Sequence, residues 1–223
     1  MSAIIKLSDN IFRSRKVILE MLEDRGYDVS TYSNYTINDI NLMLMNTKVT
    51  AEMCPLDILV SKTVDGETMK AYVKYNLNKW RQTNKYDKMI ETIYETIISP
   101  TDTLILIHSD TVIFKPSKDN RIEEYINKMY IKNKYFIQIF GVENFLFNVS
   151  HHEIVPKHTI ISKEEQRKML KDNNIISVKN LPTIRREDPM AKYIGMKPGD
   201  ICKIEFPNLS SGLSVKYRRC TAN

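Results

Sequence analysis

Only three cysteines, Cys54, Cys202 and Cys220, occur in 223 residues, far apart and odd in number. That excludes a disulfide framework and a cysteine-based zinc site, and fits a reduced intracellular compartment. In such a compartment the three Asn-x-Ser/Thr triplets at Asn34, Asn148 and Asn208 are chance matches. No apolar run approaches the roughly 20 residues that a bilayer span requires, so no membrane partner is expected. The opening MSAIIKLSDNIFRSRK carries charge where a secretory leader would be apolar.

Catalytic signatures are equally scarce. There are six glycines, and none forms a phosphate-cradling loop or a GxSxG nucleophile turn. His152-Glu153-Ile154-Val155-Pro156 begins like a zinc-protease HExxH, but proline stands where the second histidine ligand belongs and would break the required helix. His158 follows His152 by six residues and shares no helical face with it. No metal, cofactor or catalytic residue is therefore expected.

What is present is enough apolar sequence for one large domain or two modest ones, at 42% hydrophobic and 27% charged. The net charge of +6 is unevenly spread: residues 151–223 hold 14 Lys/Arg against 8 Asp/Glu, and residues 1–150 hold 19 against 19. A basic C-terminal part suits nucleic acid or an acidic protein surface, though an ordinary solvated face gives the same count.

The apolar periodicity predicts the elements. Ile11, Phe12, Ile18, Leu19 and Leu22 recur at helical spacing up to Gly26, with Arg13, Arg15 and Lys16 on or beside the opposite face. A second helix is expected over Thr36–Met45, with Ile37, Ile40, Leu44 and Met45 inward. Leu56–Val60 and the alternating Met69–Tyr75 predict a hairpin around Val64-Asp65-Gly66-Glu67. Tyr86, Met89, Ile90, Ile93, Tyr94, Ile97 and Ile98 form the longest helical stripe, ended by Ser99-Pro100. Thr103–Ile107 reads as a doubly buried strand, Ile122–Met129 as a helix and Tyr135–Phe140 as a strand. This strand–helix alternation implies an α/β layer with right-handed crossovers.

A second unit begins near Val149. Thr159–Ile161 is a short strand, and Ser162-Lys163-Glu164-Glu165 is a capping box for a helix ending at Asn173-Asn174. Asp188-Pro189 places a carboxylate at an N-cap and proline at N1, and Gly195 closes that helix. Lys197-Pro198-Gly199-Asp200 is a type II turn feeding the strand Ile201–Phe206, which Ser214–Arg218 pairs. These elements form a small α+β module.

One pattern carries possible chemistry. Restriction-type nucleases hold a divalent metal with an Asp on one strand and an acid two residues before a Lys on the next. Asp57, at the start of the first strand, and Lys74, on the second, fill two of those roles. Tyr72 stands where the second carboxylate belongs, so Asp57 is read as structural.

Several segments together resemble a known family. Phe12–Tyr27, FRSRKVILEMLEDRGY, is similar to the opening helix of the fifth-largest subunit of eukaryotic-type DNA-directed RNA polymerases. Asn148–His158, NVSHHEIVPKH, resembles that family's N-I-T-x-H-E-L-V-P-x-H, and Leu181-Pro182-Thr183-Ile184 its L-P-R-I. Asp188–Asp200, DPMAKYIGMKPGD, resembles D-P-V-A-R-Y-x-G-x-K-R-G-Q, and Val215-Lys216-Tyr217-Arg218 the closing x-T-Y-R. These blocks keep order and spacing. The chain departs from the pattern at Thr183, which replaces an Arg, and at Phe206-Pro207-Asn208-Leu209, which replaces an Arg-Pro-Ser-Glu type turn.

The resemblance implies an α/β N-terminal domain (1–148), restriction-nuclease-like in fold but inactive. It also implies a small α+β C-terminal assembly domain (149–223), equivalent to a small polymerase subunit of archaea. The expected partners are the largest polymerase subunit, other polymerase subunits and the downstream duplex DNA, with the N-terminal domain forming part of the lower jaw. The family's DNA-proximal loop matches Phe114-Lys115-Pro116-Ser117-Lys118, whose lysines suit sequence-independent phosphate contact. Matched motif residues expected at the subunit interface are His152, Glu153, Pro156, His158, Pro182, Asp188, Pro189, Tyr193, Gly195, Tyr217 and Arg218. The role implied is non-catalytic, in the nucleus of a cell. The richness in Ile, Lys, Asn and Tyr suits an AT-rich genome, and a large DNA virus as source would place the protein in host cytoplasm and virion.

Overall fold

The computed structural model describes residues 2–45, 54–64, 66–77, 84–108, 121–208 and 212–222. The expected DNA-proximal loop, Lys115 to Lys118, lies outside them, as do Asp65 and Leu209 and the side chains of Tyr86 and Ile122. The chain divides into two compact units, Met1–Phe147 and Asn148–Asn223.

The first unit is a mixed α/β layer structure. Helix α1 (Ser2–Asp24) and helix α2 (Ile37–Met45) precede strands β1 (Ile58–Val64) and β2 (Glu67–Asn76), which pair antiparallel. Helix α3 (Asn84–Thr96) leads to β3 (Thr103–His108), and helix α4 (Arg121–Asn133) leads to β4 (Phe136–Gly141). The sheet order among the described residues is β1-β2-β3-β4, with β2, β3 and β4 parallel.

Helices cover both faces of this sheet. Ile90, Ile93, Tyr94 and Ile98 from the α3 stripe join Ile126 and Met129 of α4 against Tyr72, Leu104, Leu106, Ile137 and Ile139. α1 lies on the opposite face, where Ser14 meets the Tyr75 hydroxyl and Arg25 donates to Gln138. β3 and β4 are buried along their whole length because both faces are covered. The same cause removes the expected alternation in β2, where Ala71 to Tyr75 are all buried.

Two helix readings need correction. Arg15 is not on the solvent side of α1: it is buried, 3% exposed, as are Ile11, Ile18 and Leu22 of the same helix. In α2 only Ile40 is buried, while Ile37 and Met45 are exposed, because nine residues give one inward position here and not four.

The second unit is built on its own sheet. Strands β5 (Lys157–Ile160), β6 (Thr183–Arg185), β7 (Ile201–Asn208) and β8 (Gly212–Thr221) run in the order β5-β7-β8-β6. β5 and β8 flank β7 antiparallel, and β6 joins β8 in parallel. Phe206, Pro207 and Asn208 are part of β7, paired with Ser214, Leu213 and Gly212, and are not a turn.

Helix α5 (Lys163–Asp172) and helix α6 (Pro189–Tyr193) serve the two faces. Met169 of α5 packs with Leu181 and Ile201. Ala191 of α6 packs with Ile184, Met196, Cys202, Ile204 and Cys220. Burial pushes both thiols, Cys202 and Cys220, up to about 11, so they act as small apolar core groups.

Candidate functional site

The first unit brings Asp57, Tyr72 and Lys74 together. A turn closed by the Asp57 N–H on the Cys54 carbonyl presents Asp57 just ahead of β1. On β2, Tyr72 and Lys74 are two residues apart and so point to the same side. The Tyr72 hydroxyl donates to Asp57 Oδ2 at 2.7 Å, and the Lys74 ammonium lies 3.4 Å from the same oxygen. The Cys54 N–H donates to Oδ2 at 2.9 Å, and the Tyr75 N–H to Oδ1 at 3.0 Å. The Asp57 side chain is 1% exposed.

Burial, reinforced by the neighbouring carboxylate, holds the Tyr72 phenol far above its ordinary range, so it stays protonated and donates. Tyr75 is pushed up to about 12, again chiefly by burial. Four donors thus converge on one carboxylate, and the group standing at the second-acid position is a hydroxyl. Such a carboxylate presents lone pairs to donors already in place. Among the described residues no group of three or more His, Cys, Asp or Glu is placed to hold a metal ion.

Arg15 completes this region. Its Nη1 donates to the Leu56 carbonyl, and its guanidinium lies 5.0 Å from the Tyr35 ring centre and 5.6 Å from that of Tyr32. Neither the arginine nor the two tyrosines were expected here. The spacing held a signal, since Arg15 is four residues from Ile11 and three from Ile18 on the buried stripe. The tyrosines gave none, because their contacts are distant in sequence.

In the second unit the matched motif residues separate into two kinds. Some build the fold. Asp188 caps α6, its carboxylate accepting the N–H groups of Met190 and Ala191 at 2.9 and 3.3 Å, with Pro189 at the first helical position. Tyr193 is buried, and its hydroxyl accepts from Asn148 Nδ2 at 3.1 Å. Gly195 has φ +74°, the left-handed value that ends the helix. Tyr217 packs in the patch beneath α5.

The others are at the surface. His152, Glu153, Pro182 and Arg218 are exposed, and Pro156 and His158 are half-buried. His158 Nδ1 lies 2.7 Å from the Pro156 carbonyl, which can only accept, so Nδ1 carries the proton. Strand register sets His158, Ile204 and Lys216 in one row, and Ile160, Cys202 and Arg218 in the next, on the same face. Tyr217 is on the opposite face, so the eleven residues do not form one surface.

The comparisons with known proteins bear on the second unit most sharply. The family model described as RNA polymerase Rpb5, C-terminal domain, matches residues 147–220. The "DNA-directed RNA polymerase subunit Rpo5" of Archaeoglobus fulgidus is 49% identical over 72 residues, which is 32% of this chain and 93% of that protein. The chain belongs to the RNA polymerase Rpb5 family. Family members of full length match nearly end to end. The "DNA-directed RNA polymerases IV and V subunit 5B" of Arabidopsis thaliana is 25% identical over 218 residues, 93% of this chain and 88% of the relative. The "DNA-directed RNA polymerases I, II, and III subunit rpabc1" of Dictyostelium discoideum is 24% identical over 219 residues, 95% of this chain and 98% of the relative. This Rpb5-family chain is a transcription protein of the DNA-directed RNA polymerase subunit class.

Proposed function

We propose that the chain is a non-catalytic, structural subunit of a multi-subunit DNA-directed RNA polymerase. The second unit is its assembly domain and docks on the largest subunit. The first unit is a jaw domain beside the incoming downstream duplex, restriction-nuclease-like in fold and without nuclease activity. The subunit needs no cofactor or metal of its own. It works where its polymerase works, in a nucleus or, for a viral enzyme, in host cytoplasm and virion.

The observation that carries this reading is the division of the matches. The 72-residue archaeal match covers 93% of that relative but only 32% of this chain, and the C-terminal family model takes residues 147–220. A module that makes up a whole polymerase subunit elsewhere is the part expected to hold the assembly together. The filled shell of Asp57 supports the inactive reading of the first unit, since one carboxylate already saturated by four donors is a poor Mg²⁺ ligand.

Two experiments test the parts separately. Residues 148–223 expressed alone are expected to melt cooperatively and to capture the largest subunit, while residues 1–147 are not. Failure of the soluble fragment to bind would overturn the docking assignment. Incubation of the whole protein with DNA and Mg²⁺ or Mn²⁺ is expected to leave the DNA intact. Cleavage that Asp57→Ala abolishes would overturn the inactive reading.

A further inference from the structure

The outer edge of a sheet is where an extended chain can add as a new strand, because its outward N–H and C=O groups have no ladder partner. β1 is such an edge, with β2 as its strand neighbour among the described residues. Three of its outward groups, on Leu59 and Ser61, are nevertheless occupied. The Tyr32 hydroxyl accepts the Leu59 N–H at 3.1 Å and donates to the Leu59 carbonyl at 3.3 Å. The Asp28 N–H donates to the Ser61 carbonyl at 3.0 Å.

One phenolic oxygen therefore satisfies both main-chain groups of a residue, which a fifth strand would otherwise do. The ring is fixed from elsewhere, by the buried Arg15 guanidinium and by Tyr35, whose ring centre is 6.4 Å away. Gly26, at φ +83°, allows the reversal out of α1 that lays residues 28–32 along the edge.

We infer that the Tyr32 hydroxyl and the Asp28 N–H together form an edge plug: both are needed to keep the sheet of the first unit closed to strand addition. The occupant an opened edge would take is the same edge of a second copy of this chain. β1 reads Ile-Leu-Val-Ser-Lys-Thr-Val, with three β-branched aliphatics and Lys62 as its single charge, and Val64 at its end is 40% exposed. Two such edges pair antiparallel about a twofold axis with every outward N–H facing a carbonyl.

Tyr32→Phe removes only the hydroxyl and keeps the ring over Arg15. In the full chain, purified free of other subunits, this variant is expected to fold. Amide exchange at Leu59 should then be about tenfold faster or more than in the wild type. Sedimentation should show a concentration-dependent dimer where the wild type is a monomer, and adding Ser61→Lys should return the monomer by charging the edge. A Tyr32→Phe protein that stays monomeric, or a wild type that dimerises at the same concentrations, would overturn the inference. Should Tyr32→Phe not fold, Asp28→Pro, which deletes the donor to Ser61, carries the same expectation and is decided by the same monomer–dimer readout.

Discussion

The Tyr72 hydroxyl sits 2.7 Å from Asp57 Oδ2, on the oxygen that also faces the Lys74 ammonium. The start of β1 and the strand β2 present an acid, a hydroxyl and a lysine to one another. These polar contacts tie the start of β1 to β2.

The cluster around Asp57 is expected to act as a stability element. Tyr72→Phe removes a buried donor to an ionised acceptor and is expected to cost about 1.5–3 kcal/mol. Asp57→Ala strips the partner from Lys74 and from two backbone N–H groups and is expected to cost more, about 3–5 kcal/mol. Chemical denaturation of both variants checks the order as well as the size. Equal stability of wild type and Tyr72→Phe would contradict it.

The helices and strands were legible where local chemistry decides them. Ser162 and Glu165 form the reciprocal capping box that their spacing announces, and Asp188, Pro189 and Gly195 open and close α6 as their residue types require. Asp57, Tyr72 and Lys74 could be associated because strand periodicity is short and fixed. What remained hidden depends on distant contacts. Arg15 carries a charge, and charge on a helix usually means solvent; its burial follows from the Leu56 carbonyl 41 residues away and from two tyrosines. β6 has three residues and no pattern of its own, and exists because β8 supplies its ladder.

The matched C-terminal residues should separate experimentally as they do structurally. Asp188→Ala removes the α6 cap and is expected to cost about 1 kcal/mol, lowering the melting temperature of the second unit by about 4–8 °C. Arg218→Glu alters an exposed side chain and should leave that temperature unchanged while weakening capture of the largest subunit about tenfold, or roughly 1.4 kcal/mol. A variant pair with the two effects exchanged would contradict the assignment.

Asp200 gives the second unit a pH dependence of defined sign. Its carboxyl is half-buried, and desolvation raises its pKa despite the Lys197 N–H donated to Oδ2 at 2.8 Å. The folded state thus holds this proton more tightly than the unfolded chain. Its contribution favours folding in acid and is lost as pH rises through the carboxylate range. Asp200→Asn keeps an acceptor for Lys197 without the charge. It should melt higher than wild type at neutral pH, with the gap closing toward acid. A gap that widens in acid would contradict the sign.

On the proposed reading, Lys115 and Lys118, which flank Pro116-Ser117 in sequence, face the downstream DNA. Lysines in water attract phosphate without reading bases, each by about 1 kcal/mol or less. Replacing both by Glu should speed dissociation of elongation complexes at low salt, on any downstream sequence, with the effect fading as salt rises. Assembly should be untouched. Unchanged dissociation rates in the assembled mutant enzyme would make these two lysines bystanders.

On the proposed reading, this chain is held in a polymerase by its second unit. Affinity purification of the tagged full chain from its natural source, with co-purifying proteins identified, tests it most directly. Recovery of a DNA-directed RNA polymerase containing the largest subunit is expected, as is loss of that complex when residues 148–223 are deleted. Recovery of the chain without polymerase subunits, or of an intact polymerase with the deleted form, would contradict it.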